Sequence, residues 1–72
     1  MNLALANEGI EYEIDSIETD DEELNSFLFS LGCYSGEKIT IVSKKKHSLV
    51  VAIKDARYTI DKALGEAIKI KE

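Results

Sequence analysis

Cys33 and His47 are the two side chains of this 72-residue sequence that bind soft transition metals, and the sequence has no second cysteine or histidine. A structural zinc site takes four protein ligands and a catalytic zinc site takes three. Two ligands in two separate turns fall short of either number. Cys33 and His47 stay candidates for direct iron or zinc binding, but we predict no metal site. We favour a buried apolar role for Cys33 and a solvated position for His47.

The acidic run ETDDEE, at residues 18–23, could bring several carboxylates to a cation. A calcium loop needs oxygen ligands at fixed spacings and a glycine at its turn, and this run does not provide that pattern. Negative side chains stabilise the first turn of a helix, where the backbone N–H groups are unpaired. We therefore interpret the run as the start of a helix.

No arrangement for catalysis or cofactor binding appears in the sequence. A nucleophilic cysteine or serine needs an oriented base, and His47 belongs to a different turn from Cys33. A phosphate-binding loop of the form GxxxxGK[ST] is absent. We predict that the chain is not an enzyme, with no catalytic residue and no cofactor.

Lys44, Lys45 and Lys46 form a basic cluster in a chain whose net charge is −5. An acidic domain gains no counterion-release energy from nucleic acid, so we expect no DNA partner. Lysines at a hairpin tip also keep strand edges from pairing with other chains. RNA binding through this patch stays open as an alternative function, and it would weaken steeply with salt.

Residues 29–36, FSLGCYSG, combine aromatic side chains with two turn glycines. Exposed aromatic side chains beside a rigid turn are typical of protein interfaces. A satellite cluster that packs under a helix end would explain the same residues, so both interpretations stay open. We predict a partner-binding surface that comprises Phe29, Leu31, Gly32, Tyr34, Ser35, Gly36 and Tyr58.

A strand and a helix must come before this segment. Residues 10–17 alternate between apolar and polar side chains, with Ile10, Tyr12 and Ile14 on one face. The alternation breaks at Ile17, which predicts a bulge or the strand end.

The helix is predicted from apolar residues at helical spacing, and these are Leu24, Phe27, Leu28 and Leu31. We expect Thr19 or Asp20 to cap its start, because their side-chain oxygens accept from free backbone N–H groups. Gly32 is expected to end it, since glycine adopts the left-handed conformation without strain.

Four more short strands are predicted from alternation over residues 39–42, 49–53, 58–60 and 68–70, and residues 61–67 fit one helical turn capped by Asp61. Five short strands are too few for two packed sheets, whereas a small barrel removes exposed edges. We predict a mainly β fold. It is a small SH3-like five-stranded barrel with one α-helix inserted after the first strand and a short helical turn before the last strand.

Length and composition predict a single domain over residues 1–72 in the cytoplasm. A lone cysteine cannot form an internal disulfide, which favours a reducing compartment. The longest apolar run, residues 49–53, is far shorter than the roughly 20 residues of a membrane-spanning helix. We expect no direct membrane insertion, contact with a membrane only through a partner, and a monomer or weak self-association.

The ordered set of these motifs resembles the FeoA family, the small cytoplasmic ferrous-iron transport proteins A. The resemblance runs from residue 3 to residue 71. It is carried by Leu31 and Gly32 at the helix end, Gly36 in the turn, and the segments 39–42, 58–60 and 67–70. Ser35 stands where the family usually has proline, so this turn is less pre-organised.

The resemblance implies an SH3-like accessory protein of ferrous-iron uptake. Such a protein acts with the ferrous-iron permease FeoB, a membrane protein with a cytoplasmic GTP-binding domain. The family has no established catalytic residues, so none is assigned. We expect the surface around Tyr34 to bind the cytoplasmic part of the permease, with direct metal binding and RNA binding as the alternatives.

Overall fold

Five strands and two α-helices make up most of residues 1–71, which are the residues that this computed structural model describes. A 3₁₀ helix comes first, at Leu3–Leu5. The other elements, in chain order, are β1 (Glu11–Ile17), α1 (Glu22–Leu31), β2 (Lys38–Lys44), β3 (Ser48–Ile53), β4 (Ala56–Asp61), α2 (Lys62–Ala67) and β5 (Ile68–Ile70). This order confirms the predicted mainly β fold with a helix after the first strand and a helical turn before the last.

All neighbouring strands are antiparallel, in the order β4-β3-β2-β1-β5. Strand β1 is divided between two partners. Its first part pairs with β2, where Glu11 lies opposite Thr40, and its second part pairs with β5, where Ile14 lies opposite Ile70. The register shifts between Ile14 and Ser16, which confirms the predicted irregularity in this strand.

Every strand contributes to one buried cluster. Ile60 of β4 and Ile68 of β5 both belong to it, although these strands lie at opposite ends of the sheet order. Neighbouring strands are about 4.8 Å apart, so the outer strands of a flat five-stranded sheet would be about 19 Å apart. The sheet therefore curls around its core as a small barrel does.

The N-terminal segment is part of this core. Leu3 and Ala6 are fully buried and Ala4 is nearly so, because the 3₁₀ helix packs against α2. The side chain of Asn2 caps the short helix by accepting from the N–H of Leu5 at 3.2 Å. No helix or strand was predicted for these residues.

Helix α1 begins one residue later than expected. Asp21 is the N-cap, and its Oδ1 accepts from the N–H groups of Glu23 and Leu24 at 3.0 and 3.2 Å. The prediction of Thr19 or Asp20 was wrong, because the Thr19 hydroxyl accepts instead from the N–H of Asp21 at 3.1 Å. Gly32 ends the helix in the left-handed region with φ 98°, as predicted.

The apolar stripe of α1 is only partly buried. Leu28 is fully buried, and Leu31 packs against the core while partly exposed. Phe27, which the spacing placed on the same stripe, is 47% exposed. Ile10 is likewise 47% exposed, because it precedes β1 and lies outside the ladder that buries Ile14.

Glu13 connects the two halves of the sheet where β1 changes partner. Its carboxylate contacts Lys71 Nζ at 2.8 Å and Lys38 Nζ at 3.1 Å. Hydrogen bonds from Lys71 and then Lys38 hold the pKa of the Glu13 carboxyl below its usual range.

The helices of residues 1–71 are short, and none is long and apolar enough to cross a membrane.

Candidate functional site

An open groove lies between the C-terminal end of α1 and the turn that joins β3 to β4. Its volume is about 490 Å³. The residues that line it are Phe29, Ser30, Leu31, Gly32, Tyr34, Ile53, Lys54, Ala56 and Tyr58. We call it the α1–β4 groove.

Five of the residues predicted for partner binding line this groove, and they are Phe29, Leu31, Gly32, Tyr34 and Tyr58. Ser35 and Gly36 do not line it. They are exposed in the turn that leads into β2, where Gly36 has φ 93°. The structure thus brings Tyr58, from a distant part of the chain, next to the aromatic residues of the helix end.

Gly32 sets the distance between α1 and the sheet. Its N–H donates to the carbonyls of Leu28 and Phe29, which closes the helix. A Cβ at this position would lie 3.1 Å from Cγ2 of Ile53, tighter than ordinary van der Waals contact. Both the left-handed conformation and the close approach to β3 therefore favour glycine.

Tyr34 is held in place by contacts on its ring and its hydroxyl. Its ring centroid lies 5.1 Å from that of Phe29, at an interplanar angle of 40°. Nζ of Lys54 donates to the Tyr34 hydroxyl at 2.7 Å and lies 5.2 Å from the ring centroid. Tyr34 is therefore half-buried and held in place by these contacts.

Lys54 is a groove residue that sequence reasoning missed. It is the only non-glycine residue among residues 1–71 with positive φ, at 56°. Its ammonium also lies 3.9 Å from the Glu37 carboxylate. The hydrogen bond to Tyr34, with further support from Glu37, raises the pKa of Lys54. A lysine in a left-handed turn leaves no pattern in the sequence that could have identified it.

Phe29 is the most exposed aromatic side chain of the groove. It is 64% exposed, although it is large and apolar. Burying such a ring against a partner gains roughly 25 cal/mol for each Å² of apolar surface removed from water. The groove therefore has an anchor residue that is available to a partner and is not used by the core.

The two metal-ligand candidates lie in unlike surroundings. Cys33 is 1% exposed and belongs to the core, as predicted, whereas His47 is exposed at the tip of the β2–β3 hairpin. Burial raises the pKa of the Cys33 thiol to about 11, and the thiolate is the form that binds metal. Nowhere in residues 1–71 do three or more His, Cys, Asp or Glu side chains form a group that could hold a metal ion.

The buried thiol predicts a loss of stability at alkaline pH. The Cys33 pKa is about 11 in the folded chain against an ordinary value of 9.0, so between these values the folded state binds more protons than the unfolded state. The free energy of unfolding therefore falls as pH rises through this window. Urea unfolding at pH 8, 9, 10 and 11 would measure this fall.

Cys33→Ala is the control for this prediction, because lysines and tyrosines also titrate in the same range. The variant is expected to lose stability less steeply with pH than the original chain. Parallel curves for the two proteins would contradict the assignment.

The lysine cluster lies at the exposed β2–β3 hairpin tip, as expected, and each of Lys44, Lys45 and Lys46 is exposed. The backbone N–H of Lys44 donates to the Glu8 carboxylate at 2.5 Å. A carboxylate next to the cluster lowers its net positive charge. RNA binding here stays a prediction, tested by the salt dependence of binding.

This chain resembles a family model and several solved structures over nearly all of its length. The model of the FeoA domain matches residues 1–72. An iron uptake regulatory protein, FeoA, has a crystal structure that superposes with a TM-score of 0.90 at 17% identity, covering 99% of this chain and 95% of that chain. A search of the curated proteins found no match to this chain.

Two further structures extend this likeness. FeoA of Stenotrophomonas maltophilia, complexed with zinc and described as a procaryotic SH3 domain protein, gives a TM-score of 0.88 at 17% identity over 99% of this chain and 89% of that chain. Iron(II) transport protein A of Clostridium thermocellum gives a TM-score of 0.89 at 26% identity, over 99% of this chain and 44% of that chain. The predicted SH3-like fold is thereby confirmed.

Proposed function

Because this chain belongs to the FeoA family, whose members are non-enzymatic accessory proteins of ferrous-iron transport, we propose that it is a cytoplasmic accessory protein of ferrous-iron uptake. Its partner is the cytoplasmic part of the permease FeoB. Contact with that partner would place it at the inner face of the membrane without inserting into it. The α1–β4 groove is the surface that binds.

The composition of the groove carries this proposal. Phe29, Tyr34 and Tyr58 come together along one open groove, although they lie on a helix, a turn and a strand. Interfaces are enriched in aromatic side chains, and a few of them supply most of the binding energy. Tyr34 is already fixed by Phe29 and Lys54, so little side-chain entropy is lost on binding.

An amide-shift titration tests the proposal. The labelled chain is titrated with the cytoplasmic GTP-binding domain of FeoB, with and without nucleotide. Shifts are expected at residues 29–34 and 53–58, the two segments that line the groove. Shifts confined to other residues would show that the binding surface is not the α1–β4 groove. No shift at high concentration would refute binding to that domain.

Phe29→Ala is expected to weaken this binding at least tenfold, a loss of about 1.4 kcal/mol, because truncating an anchoring aromatic side chain of an interface typically costs more than about 1 kcal/mol. Phe27→Ala is the matched control. Both residues are exposed aromatics of α1, but only Phe29 lines the groove. Isothermal titration calorimetry of the two variants against the FeoB domain measures the difference.

Equal affinities for the two variants would count against the groove. Tyr34→Ala gives a second test, at a groove residue that lies outside α1. It removes both the ring contact with Phe29 and the hydroxyl that accepts from Lys54, and binding should fall in this variant as well. Unchanged binding of Tyr34→Ala would show that the docking surface lies elsewhere.

A further inference from the structure

Strand β4 is an open edge of the sheet. Within residues 1–71, it pairs with β3 on one side and with no strand on the other. It is six residues long, and its register with β3 has no bulge. Proteins usually protect such an edge with proline, lysines, bulges or a covering segment. The sequence has no proline, and the side chains that β4 directs to solvent include one charge of each sign.

The other edge, β5, is protected. It is three residues long, and the N-terminal segment covers it. Lys69 bridges to Asn2, and the N–H of Ile70 donates to the carbonyl of Met1 at 2.8 Å. The two edges therefore differ, and β4 is the one at which a further strand can add.

The register of the hairpin shows which backbone groups face the open edge. Ile53 lies opposite Ala56 across the two-residue turn Lys54-Asp55. The residues that flank such a turn form a hydrogen-bonded pair, and the pairs then alternate along the ladder. Tyr58 thus directs its N–H and C=O toward β3. Arg57 and Thr59 direct theirs away from it, and no backbone hydrogen bond from another segment of residues 1–71 reaches them.

The side chains on this edge are self-complementary about Thr59. Arg57, Thr59 and Asp61 are exposed and, being two residues apart, share one face of β4. In an antiparallel pair of β4 strands centred on Thr59, each Arg57 lies directly opposite Asp61 of the second copy. Opposite charges in this position stabilise strand pairs, as do two facing threonines.

Arg57 and Asp61 have no competing partners within the described part of the chain. Neither forms an ion pair there. Asp61 is the N-cap of α2, yet its side chain makes no capping hydrogen bond. Its carboxylate is therefore available to a guanidinium from outside.

We propose that two copies of this chain associate through their β4 edges, antiparallel and centred on Thr59, with Arg57 of each copy paired to Asp61 of the other. The symmetry is twofold, because one patch contacts itself. The proposal stands apart from the function proposed above, since it rests on the strand edge and not on a FeoB partner.

Sedimentation of the full chain over a concentration series tests the pairing. The apparent mass should rise from 8.0 kDa toward twice that value as concentration approaches about 1 mM, the range of a weak complex. Thr59→Lys places two ammonium groups opposite each other and should remain monomeric. Asn7→Lys adds the same charge at an exposed site away from β4, and this control should associate as the original chain does.

A charge exchange makes the register specific. Arg57→Asp sets carboxylate against carboxylate in both pairs and should weaken association at least tenfold. The double variant Arg57→Asp/Asp61→Arg restores opposite charges and should recover it, with circular dichroism confirming that each variant folds. A monomeric original chain, or a dimer that neither Thr59→Lys nor the charge exchange affects, would overturn the proposal.

Discussion

Leu28→Ala is expected to leave the chain largely unfolded at room temperature. Leu28 is the only fully buried residue of α1, and truncating a buried leucine to alanine costs about 2–5 kcal/mol. A domain of this size has a total stability of roughly 3–5 kcal/mol. The loss therefore removes most of the folding free energy, which urea unfolding followed by circular dichroism would measure.

Phe27→Ala is the control on the same helix. Phe27 is 47% exposed, so its truncation leaves no cavity and should change the free energy of unfolding by less than about 1 kcal/mol. If Leu28→Ala behaved like Phe27→Ala, then α1 would contribute little to the core, and the docking of this helix against the sheet would have to be revised.

Gly65→Val is expected to destabilise the chain by about 3 kcal/mol, the upper range for overpacking. Gly65 is buried in α2, and a Cβ there would lie 2.6 Å from Cδ1 of Leu49. Leu49 is fully buried and cannot move aside without disturbing the core. Glycine normally costs about 0.5–1 kcal/mol within a helix, so its presence here reflects the close approach of α2 to β3.

Ala63→Val separates this steric effect from helix propensity. Ala63 is exposed on the same helix, and the variant introduces the same side chain with no core contact. Its cost should stay near 0.5 kcal/mol. Thermal unfolding of both variants gives the comparison, and equal melting temperatures would show that the core accommodates valine at position 65.

Strands β2, β3 and β5 were predictable because each has one buried face. Ile39 and Ile41 in β2, and Leu49, Val51 and Ile53 in β3, alternate with more exposed neighbours. In a two-residue period, burial on one face appears directly as alternation of side-chain type. The same argument located β5 from two isoleucines.

The helix was less predictable in its details. Periodicity indicates that Phe27 and Leu28 lie near one face, but not how much of that face the sheet covers. Three neighbouring residues, Thr19, Asp20 and Asp21, are all suitable caps. The backbone of Asp21, which is extended at φ −91° and ψ 109°, decides which of them accepts from the helix N–H groups.

About half of the groove was predictable. The aromatic residues of segment 29–34 stand out because they are large, apolar and close to turn glycines. Ile53, Lys54 and Ala56 reach the groove only because the β3–β4 turn folds back beside the end of α1. Contacts between segments that are about 20 residues apart in the chain leave no local pattern in the sequence, so they could not be predicted from it.

The division of β1 between two partners also leads us to expect a particular order of folding. Strands β2, β3 and β4 join through short turns, so they can pair soon after they form. The second half of β1 pairs with β5. Ile14 must therefore pair with Ile70, which lies near the opposite end of the described chain. Such distant pairing carries a high loop-closure entropy and slows folding to the millisecond-to-second range. We therefore expect the barrel to close last, when both ends of the described chain have reached the same side of the sheet.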